Sequence, residues 1–426
     1  DIDTSNPEVI SGLTQVFKDL VTEFKPDGFR IDTVKHVDLV FWQTFSPAIM
    51  QHAKDEGIPE FFIFGEVYDG NPAGLSKYTN AGQLPSVLDF GFAFNAKDVI
   101  FTNKSVSQLA NLFDNDDYYR DADSNPNELL NFLGNHDMGR VGHFIQQGLP
   151  NISPDEQLQR SKLAHAFMYL SRGVPVVYYG DEQGFTGDGG DIDARDNMDP
   201  SQVEAYNDNL LIGTTKTTAD DNFDASHPLY NTLATLAALR KSDRALRHGE
   251  HVNRLIDEDK RIYAFSRIEA SNMQDALVVF NFSTEPQSVS MSNNKLSYSG
   301  VAGPAKVTES GDQIMFDMPA LSYVVLKSSD SLQPSKLIDI VMTPRYEDND
   351  RVFFPVEVIF ENDERFNMAS LDFYRVDSEG NETRIAFDTT APYRAVLMPE
   401  QLGGVKQLKV VASNNAEQTI SKTFDL

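Results

Sequence analysis

Arg30 and Asp32 stand two apart in the run "DGFRIDTVKH" (residues 27–36), which closes on Lys35 and His36. In a strand, residues two apart share a face. The two charged side chains therefore point one way, while Phe29 and Ile31 point the other. A guanidinium beside a carboxylate favours the ionised form and lowers its pKa. An ionised, oriented carboxylate is what a covalent nucleophile needs. A buried structural ion pair would use the same two residues, so this run alone leaves both readings open.

The arrangement recurs. Glu66 ends "FFIFGE" behind apolar residues and a glycine. Partial desolvation there raises a carboxyl pKa, as a general acid requires. Gly65 is expected to leave room for a ligand beside the backbone. Asp137 ends "NFLGNHD", with His136 beside it. One such carboxylate is ordinarily a helix cap or a solvated strand end; three at successive strand ends are harder to read that way. Asp32 and Glu66 are 34 residues apart, and Glu66 and Asp137 are 71 apart, close to twice that. A strand–helix–strand unit takes about 30 or more residues, so the three fall on strands n, n+1 and n+3. "SVLDFGF" supplies the strand between, and "VPVVYY", ending at Tyr179, supplies n+4. Two carboxyls flanking a glycosidic bond are the standard apparatus for cleaving sugars.

Alternating strands and helices must position these groups. In "SNPEVISGLTQVFKDLVTEFKPDG", Asn6 is a good N-cap and Pro7 suits the first helical position. Val9, Leu13, Val16, Phe17, Leu20 and Phe24 recur at helical spacing. A second helix is expected over "VDLVFWQTFSPAIMQHAKDEG" and a third over "EQLQRSKLAHAFMYLSRG". This alternation predicts a parallel sheet. The parallel strands feed the mouth of a barrel, where a polar face is tolerated.

After about residue 240 the pattern changes to short strands: "RIYAFSRI", "DALVVFNFS", "SVSMS", "QIMFDM" and "SYVVLKS". A Ser/Pro-containing linker follows. Then come "LIDIVMT", "RVFFPVEVIFEN", "SLDFYRV", "YRAVLMP" and "QLKVVAS", spaced as in a β-sandwich. The expected organisation is a barrel part over 1–239, an antiparallel β domain over 240–327, a linker over 328–335 and a sandwich over 336–426.

The length, 426 residues, suits two or three domains. A formal charge of −28 argues against nucleic acid and against anionic membranes. With no cysteine, disulfides, thiolate catalysis and cysteine–zinc sites are excluded. No apolar run approaches the roughly 20 residues that span a bilayer.

The motifs resemble those of the α-amylase family, glycoside hydrolase family 13. "GFRIDTVKH", "FGEV" and "FLGNHD" look like its second, third and fourth conserved regions, in the family's order and spacing. "GVPVVYYGDEQGFTGDGGDIDAR" resembles the last barrel strand and the loop after it. "DTTAPYRAVL" resembles the immunoglobulin-like modules of some bacterial members. The resemblance implies a multidomain α/β plus all-β chain. Its parts are strands four to eight of a (β/α)8 TIM barrel, a small antiparallel domain and an immunoglobulin-like sandwich. It implies that Asp32 is the nucleophile, Glu66 the acid/base and Asp137 the transition-state stabiliser. Arg30 would orient Asp32, and Lys35, His36 and His136 would bind sugar hydroxyls. Asp191 and Arg195 match a loop pair on the non-reducing side of the glucan, although "GDGGDIDAR" reads equally as a flexible acidic turn or a stray calcium site. The main-chain carbonyl of His36 would hold a structural calcium, although His36 could equally be only a sugar contact.

The implied substrate is an α-1,4-glucan: starch, glycogen or maltodextrin. The alternatives are a transglycosylase on the same scaffold and a non-catalytic glucan-binding protein. Strands one to three and the domain usually inserted after the third are not found, at least about 90 residues at 30 or more per unit. The chain is accordingly expected to be the C-terminal piece of a longer enzyme, with the missing N-terminal part as its partner. The bacterial resemblance carries the expectation of a secreted or periplasmic location. Tyr346, Phe373 and Tyr374 could stack on sugar, but alternating aromatics more often form core.

Overall fold

The computed structural model describes residues 2–187, 190–207, 209–362, 367–404 and 406–426. Its first part is a parallel sheet of five strands in chain order: β1 (Gly28–Ile31), β2 (Phe62–Gly65), β3 (Ser86–Asp89), β4 (Leu130–Asn131) and β5 (Val174–Pro175). Gly28 pairs with Phe62 and Ile31 with Gly65. The last two strands are shorter than the apolar runs suggest. The chain leaves β4 at Asn131, so Asp137 sits six residues past the strand rather than at its end. Likewise β5 stops at Pro175, and Tyr179 lies beyond it.

Helices pack outside the sheet. The first, α1 (Pro7–Phe24), starts where Asn6 accepts the Glu8 N–H at 2.8 Å and stops at Lys25, whose φ is 48°. It packs against α2 (Leu39–Asp55). Ile10, Leu13, Phe17 and Val21 join Phe41, Trp42, Phe45 and Ile49 in one apolar cluster. Val16 and Phe24, read from the same stripe, are instead exposed, because the buried sector is narrower than the apolar one. Four more helices follow, α3 (Pro72–Asn80), α4 (Phe90–Ala96), α5 (Ser107–Asp114) and α6 (Val141–Gly148), and then α7 (Pro154–Leu170).

The second part is antiparallel. Its larger sheet runs β10 (Tyr298–Ala302), β13 (Ser322–Ser328), β8 (Gln274–Asn281), β7 (Ile262–Glu269) and β6 (Glu250–Asp257). Its smaller sheet runs β11 (Lys306–Ser310), β12 (Gln313–Met318) and β9 (Gln287–Ser292). Every residue of β7 is buried. Ile262 and Ala264 face this part's own core, while Tyr263 and Phe265 join the cluster under α4 to α7. The helix Pro228–Ser242 runs through position 239, so the structural break comes after it.

The third part holds two sheets. One has β14 (Leu337–Met342), β16 (Arg351–Phe360), β15 (Tyr346–Asp348) and β19 (Arg394–Leu397). The other has β18 (Glu382–Asp388), β17 (Ser370–Val376), β20 (Gln407–Ser413) and β21 (Thr419–Asp425). Phe373 is fully buried, whereas Tyr346 is exposed and stacks on Phe353 at 4.6 Å. Phe353 and Val396 reach into the cluster that also holds Tyr118 and Tyr119. Arg394 pairs with Asp117 at 2.6 Å, and Arg120 pairs with Glu250 at 3.0 Å. All three parts therefore meet at residues 117–120. Among the described residues no helix is long and apolar enough to cross a membrane.

Candidate active site

The end of β1 turns sharply. Thr33, directly after Asp32, has φ 53°, a left-handed conformation uncommon for a β-branched residue. The turn continues into Val34–His36, held by the His36 N–H on the Thr33 carbonyl at 2.9 Å. The sheet ladder reaches this far: Glu66 N–H donates to the Ile31 carbonyl at 2.8 Å, and Val34 N–H to the Glu66 carbonyl at 3.0 Å. Asp32 and Glu66 are thereby fixed side by side at the ends of β1 and β2. Gly65 is not an opening for a ligand. A Cβ there would lie 2.7 Å from Val34 Cγ2 and 3.1 Å from Leu84 Cδ1, so the glycine admits the turn that carries Asp32.

Arg30 spans the two carboxyls. Its Nη1 is 2.9 Å from Asp32 and its Nη2 is 3.5 Å from Glu66. Glu66 is buried and Asp32 open to solvent. Burial, and a hydrogen bond to Asp32, raise the Glu66 pKa above its ordinary value against the opposing Thr33 N–H and Arg30. The same hydrogen bond, with Arg30 and His136 behind it, lowers that of Asp32. Of the two, Glu66 is the one whose surroundings favour the protonated form and Asp32 the one whose surroundings favour the anion.

Asp137 reaches the site through a tight loop. Asn135 and Gly139 exchange backbone hydrogen bonds at 3.1 Å, and Asn135 Oδ1 accepts the N–H groups of Asp137 and Met138 at 3.0 and 2.7 Å. Such a self-bonded Asn is a turn signal already present in "GNHD". His136 Nε2 lies 3.1 Å from Asp137, and its ring is near enough to Asp32 to affect its charge. His136 therefore links the third carboxylate to Asp32.

Arg195 joins the same group. It donates to Asp137 at 3.1 Å and to the His136 carbonyl at 3.2 Å, and lies 3.7 Å from Asp191. The Asp191–Arg195 pair thus touches the site through Asp137. Within the loop 187–195, Asp188 and Gly189 lie outside the described residues. Lys35 lies 3.3 Å from Asp69 and 3.4 Å from the Tyr68 carbonyl, a tie that sequence spacing did not reveal. Tyr68, two residues beyond Glu66, was also missed. It is 57% exposed, a large aromatic face beside the buried acid. Its ring leans on Phe90 at 4.8 Å.

The calcium expectation rests on the main-chain carbonyl of His36. Among the described residues no three His, Cys, Asp or Glu side chains gather as a metal site. Calcium takes six to eight oxygen ligands, and the His36 carbonyl is one.

Residues 1–249 match the family model for the alpha-amylase catalytic domain. The chain is 40% identical over 336 residues to an alpha-amylase of Streptomyces lividans, covering 78% of this chain and 37% of that protein. It is 32% identical over 293 residues to a beta/alpha-amylase of Paenibacillus polymyxa, covering 69% and 21%. A cyclomaltodextrin glucanotransferase of Niallia circulans is 29% identical over 290 residues, covering 66% and 34%. The chain therefore spans well under half the length of these relatives. A solved alpha-amylase of Geobacillus thermoleovorans, complexed with acarbose, shares the fold at TM-score 0.62 and 22% identity, over 78% of this chain and 66% of that one. The buried acid, the ionised carboxylate beside it and the family match over 1–249 agree, and the chain belongs to the alpha-amylase catalytic-domain family.

Proposed function

We propose that this chain carries the catalytic carboxyls of a retaining α-glucan hydrolase acting on α-1,4 linkages of starch, glycogen or maltodextrins. The observation that carries the reading is Arg30 spanning Asp32 and Glu66 at the ends of adjacent strands, with the Glu66 pKa raised by burial and that of Asp32 lowered. Neighbouring carboxyls held by one guanidinium suit a retaining pair, which stands about 5–5.5 Å apart, better than an inverting one at about 6.5–9.5 Å.

The steps follow from those states. Glu66 gives its proton to the departing glycosidic oxygen while Asp32 attacks the anomeric carbon. The carbon–oxygen bond to the leaving sugar breaks and an ester to Asp32 forms. Glu66, now ionised, takes a proton from water, whose oxygen attacks the same carbon and releases Asp32. Two inversions give net retention. Asp137, oriented by Arg195 and the Asn135 turn, offers negative charge to the oxocarbenium-like transition state. Lys35, His36 and His136 are assigned to sugar hydroxyls, and Tyr68 to stacking against the leaving side.

The same reading assigns further barrel strands, supplied by the enzyme outside these 426 residues, to the free edge of β1. A transglycosylase is the second reading, favoured by the likeness to cyclomaltodextrin glucanotransferases. It differs only in the acceptor that Glu66 activates. The test is to follow maltoheptaose products by chromatography and their anomeric configuration by proton NMR. α-Configured hydrolysis products from the first minutes are expected. Early transfer products would favour the second reading, and β-configured products would overturn the retaining mechanism.

A further inference from the structure

A cavity of about 170 Å³ lies between the loop joining β2 to α3, the start of α4, and α5. Its Gly70 belongs to the loop that begins at Glu66, so it opens on the same end of the sheet as the carboxyls. Asn95, Gln108, Asn111 and Asn115 line it, with Tyr119. No charged residue does, although the chain has 64 acidic and 36 basic residues.

The polar groups here are unspent. Asn95 donates to the Gly91 carbonyl at 2.8 Å. The side-chain amides of Gln108, Asn111 and Asn115 make no hydrogen bond among the described residues. Nor does the Tyr119 hydroxyl, although Tyr119 is 4% exposed. Burial raises the pKa of this phenol well above its ordinary value, so it remains a donor. Gln108 and Asn115 are half-buried and Asn111 is exposed, so these amides are accessible to a ligand rather than sealed in the core.

The chemistry selects a ligand class. Each carboxamide offers donors and acceptors together, as does a phenol. Among the lining residues an anion would find no cation and a metal ion no carboxylate, since Asp89, Arg172, Asp116 and Asp69, which act on Tyr119, do not line the cavity; an apolar ligand would leave the amides unpaired. A neutral ring bearing several hydroxyls satisfies them. The volume is below the roughly 300–1,000 Å³ of drug-sized sites, which limits the occupant to about one ring.

We propose that this cavity is a second saccharide site, taking one glucosyl unit of a glucan whose cleaved bond lies at Glu66. The inference rests on the α-glucan reading above. A glucan crossing Tyr68 follows the loop from Glu66 to Gly70 and arrives at the cavity.

The test uses the protein with Glu66→Gln, which prevents turnover, and maltoheptaose as the ligand. Calorimetry compares it with versions that also carry Asn111→Leu, on the open side of α5, or Tyr119→Phe, which removes only the hydroxyl. Each is expected to weaken binding about threefold to tenfold, the worth of one good hydrogen bond. Affinity unchanged in both overturns the proposal while leaving the catalytic reading intact. Crystals soaked in maltoheptaose give a readout independent of any change at the cavity. A pyranose ring against Tyr119 supports the site, and sugar confined to the carboxylate end overturns it. A parent protein that neither cleaves nor binds maltoheptaose overturns both readings.

Discussion

Asp32 and Glu66 share one guanidinium, with Arg30 Nη1 2.9 Å from the first and Nη2 3.5 Å from the second, and their pKa values are pushed in opposite directions. Two like groups with divergent environments divide into a base-type and an acid-type role. Here burial supplies the difference on one side, and Arg30 with the shared hydrogen bond supplies it on the other.

Glu66→Gln keeps the shape of the side chain and removes its titrating proton. Turnover of maltoheptaose is expected to fall at least 10²–10⁴-fold, the usual contribution of a positioned acid/base. Glucan affinity is expected to stay within about threefold, since a neutral amide still fits beside Asp32. Steady-state kinetics and calorimetry measure the two. Activity within tenfold of the parent would remove Glu66 from the acid role.

Asp32→Asn leaves no nucleophile for the anomeric carbon. An activated fluorosugar is expected to label the parent protein at Asp32 and to leave the variant unlabelled. Intact-protein mass spectrometry reads the difference. Label on the variant would move the covalent bond to another residue.

Activity requires Asp32 ionised and Glu66 protonated. The acid limb of kcat/KM against pH should therefore lie below the ordinary carboxylate range, since the Asp32 pKa is lowered, and the alkaline limb above it, since that of Glu66 is raised. Arg30 lowers both. Arg30→Met is thus expected to shift both limbs to higher pH, as well as reducing the maximum. A profile that keeps its acid limb in place would show that Arg30 does not govern Asp32.

The junction of the three parts should be pH-sensitive in the opposite sense to a salt-bridged carboxylate. Burial pushes Asp388 and Asp121 up to about 6. In the unfolded chain they titrate near about 4. Between those values the folded protein holds more protons, so their contribution to stability falls as pH rises from about 4 to about 6. The change for Asp388 is on the order of 2–3 kcal/mol. Asp388→Asn should flatten that slope in urea melts taken across this range, and an unchanged slope would contradict the assignment.

Arg394 reaches Asp117 at 2.6 Å across the boundary between the sandwich and the barrel part. Arg394→Ala removes the nearest cation from a buried carboxyl whose pKa burial already pushes well up, so Asp117 can take a proton and the expected cost is that of a lost buried hydrogen bond, about 1–3 kcal/mol. An early unfolding transition of residues 336–426, followed by hydrogen exchange, is the expected sign. Stability within about 1 kcal/mol of the parent would show that the apolar contacts of Phe353 and Val396 hold the sandwich unaided.

The order of the elements and the identity of the candidate groups were legible in the chain. Strand–helix alternation, the Asn6–Pro7 helix start and the spacing of Asp32, Glu66 and Asp137 are local properties, and local properties are carried by residue type. Strands β6, β10, β11, β15, β18 and β21 escaped because they lie at sheet edges or in polar hairpins, where alternation is weak. Only the folded arrangement decided which carboxyl keeps its proton, since burial of Glu66 and exposure of Asp32 come from neighbours far along the chain. It also decided that Gly65 makes room for Val34, that Arg195 holds Asp137 and that Asp69 holds Lys35. Residue types limit the chemistry a chain can perform. Desolvation and proximity, which belong to three dimensions, select the state in which each group is held.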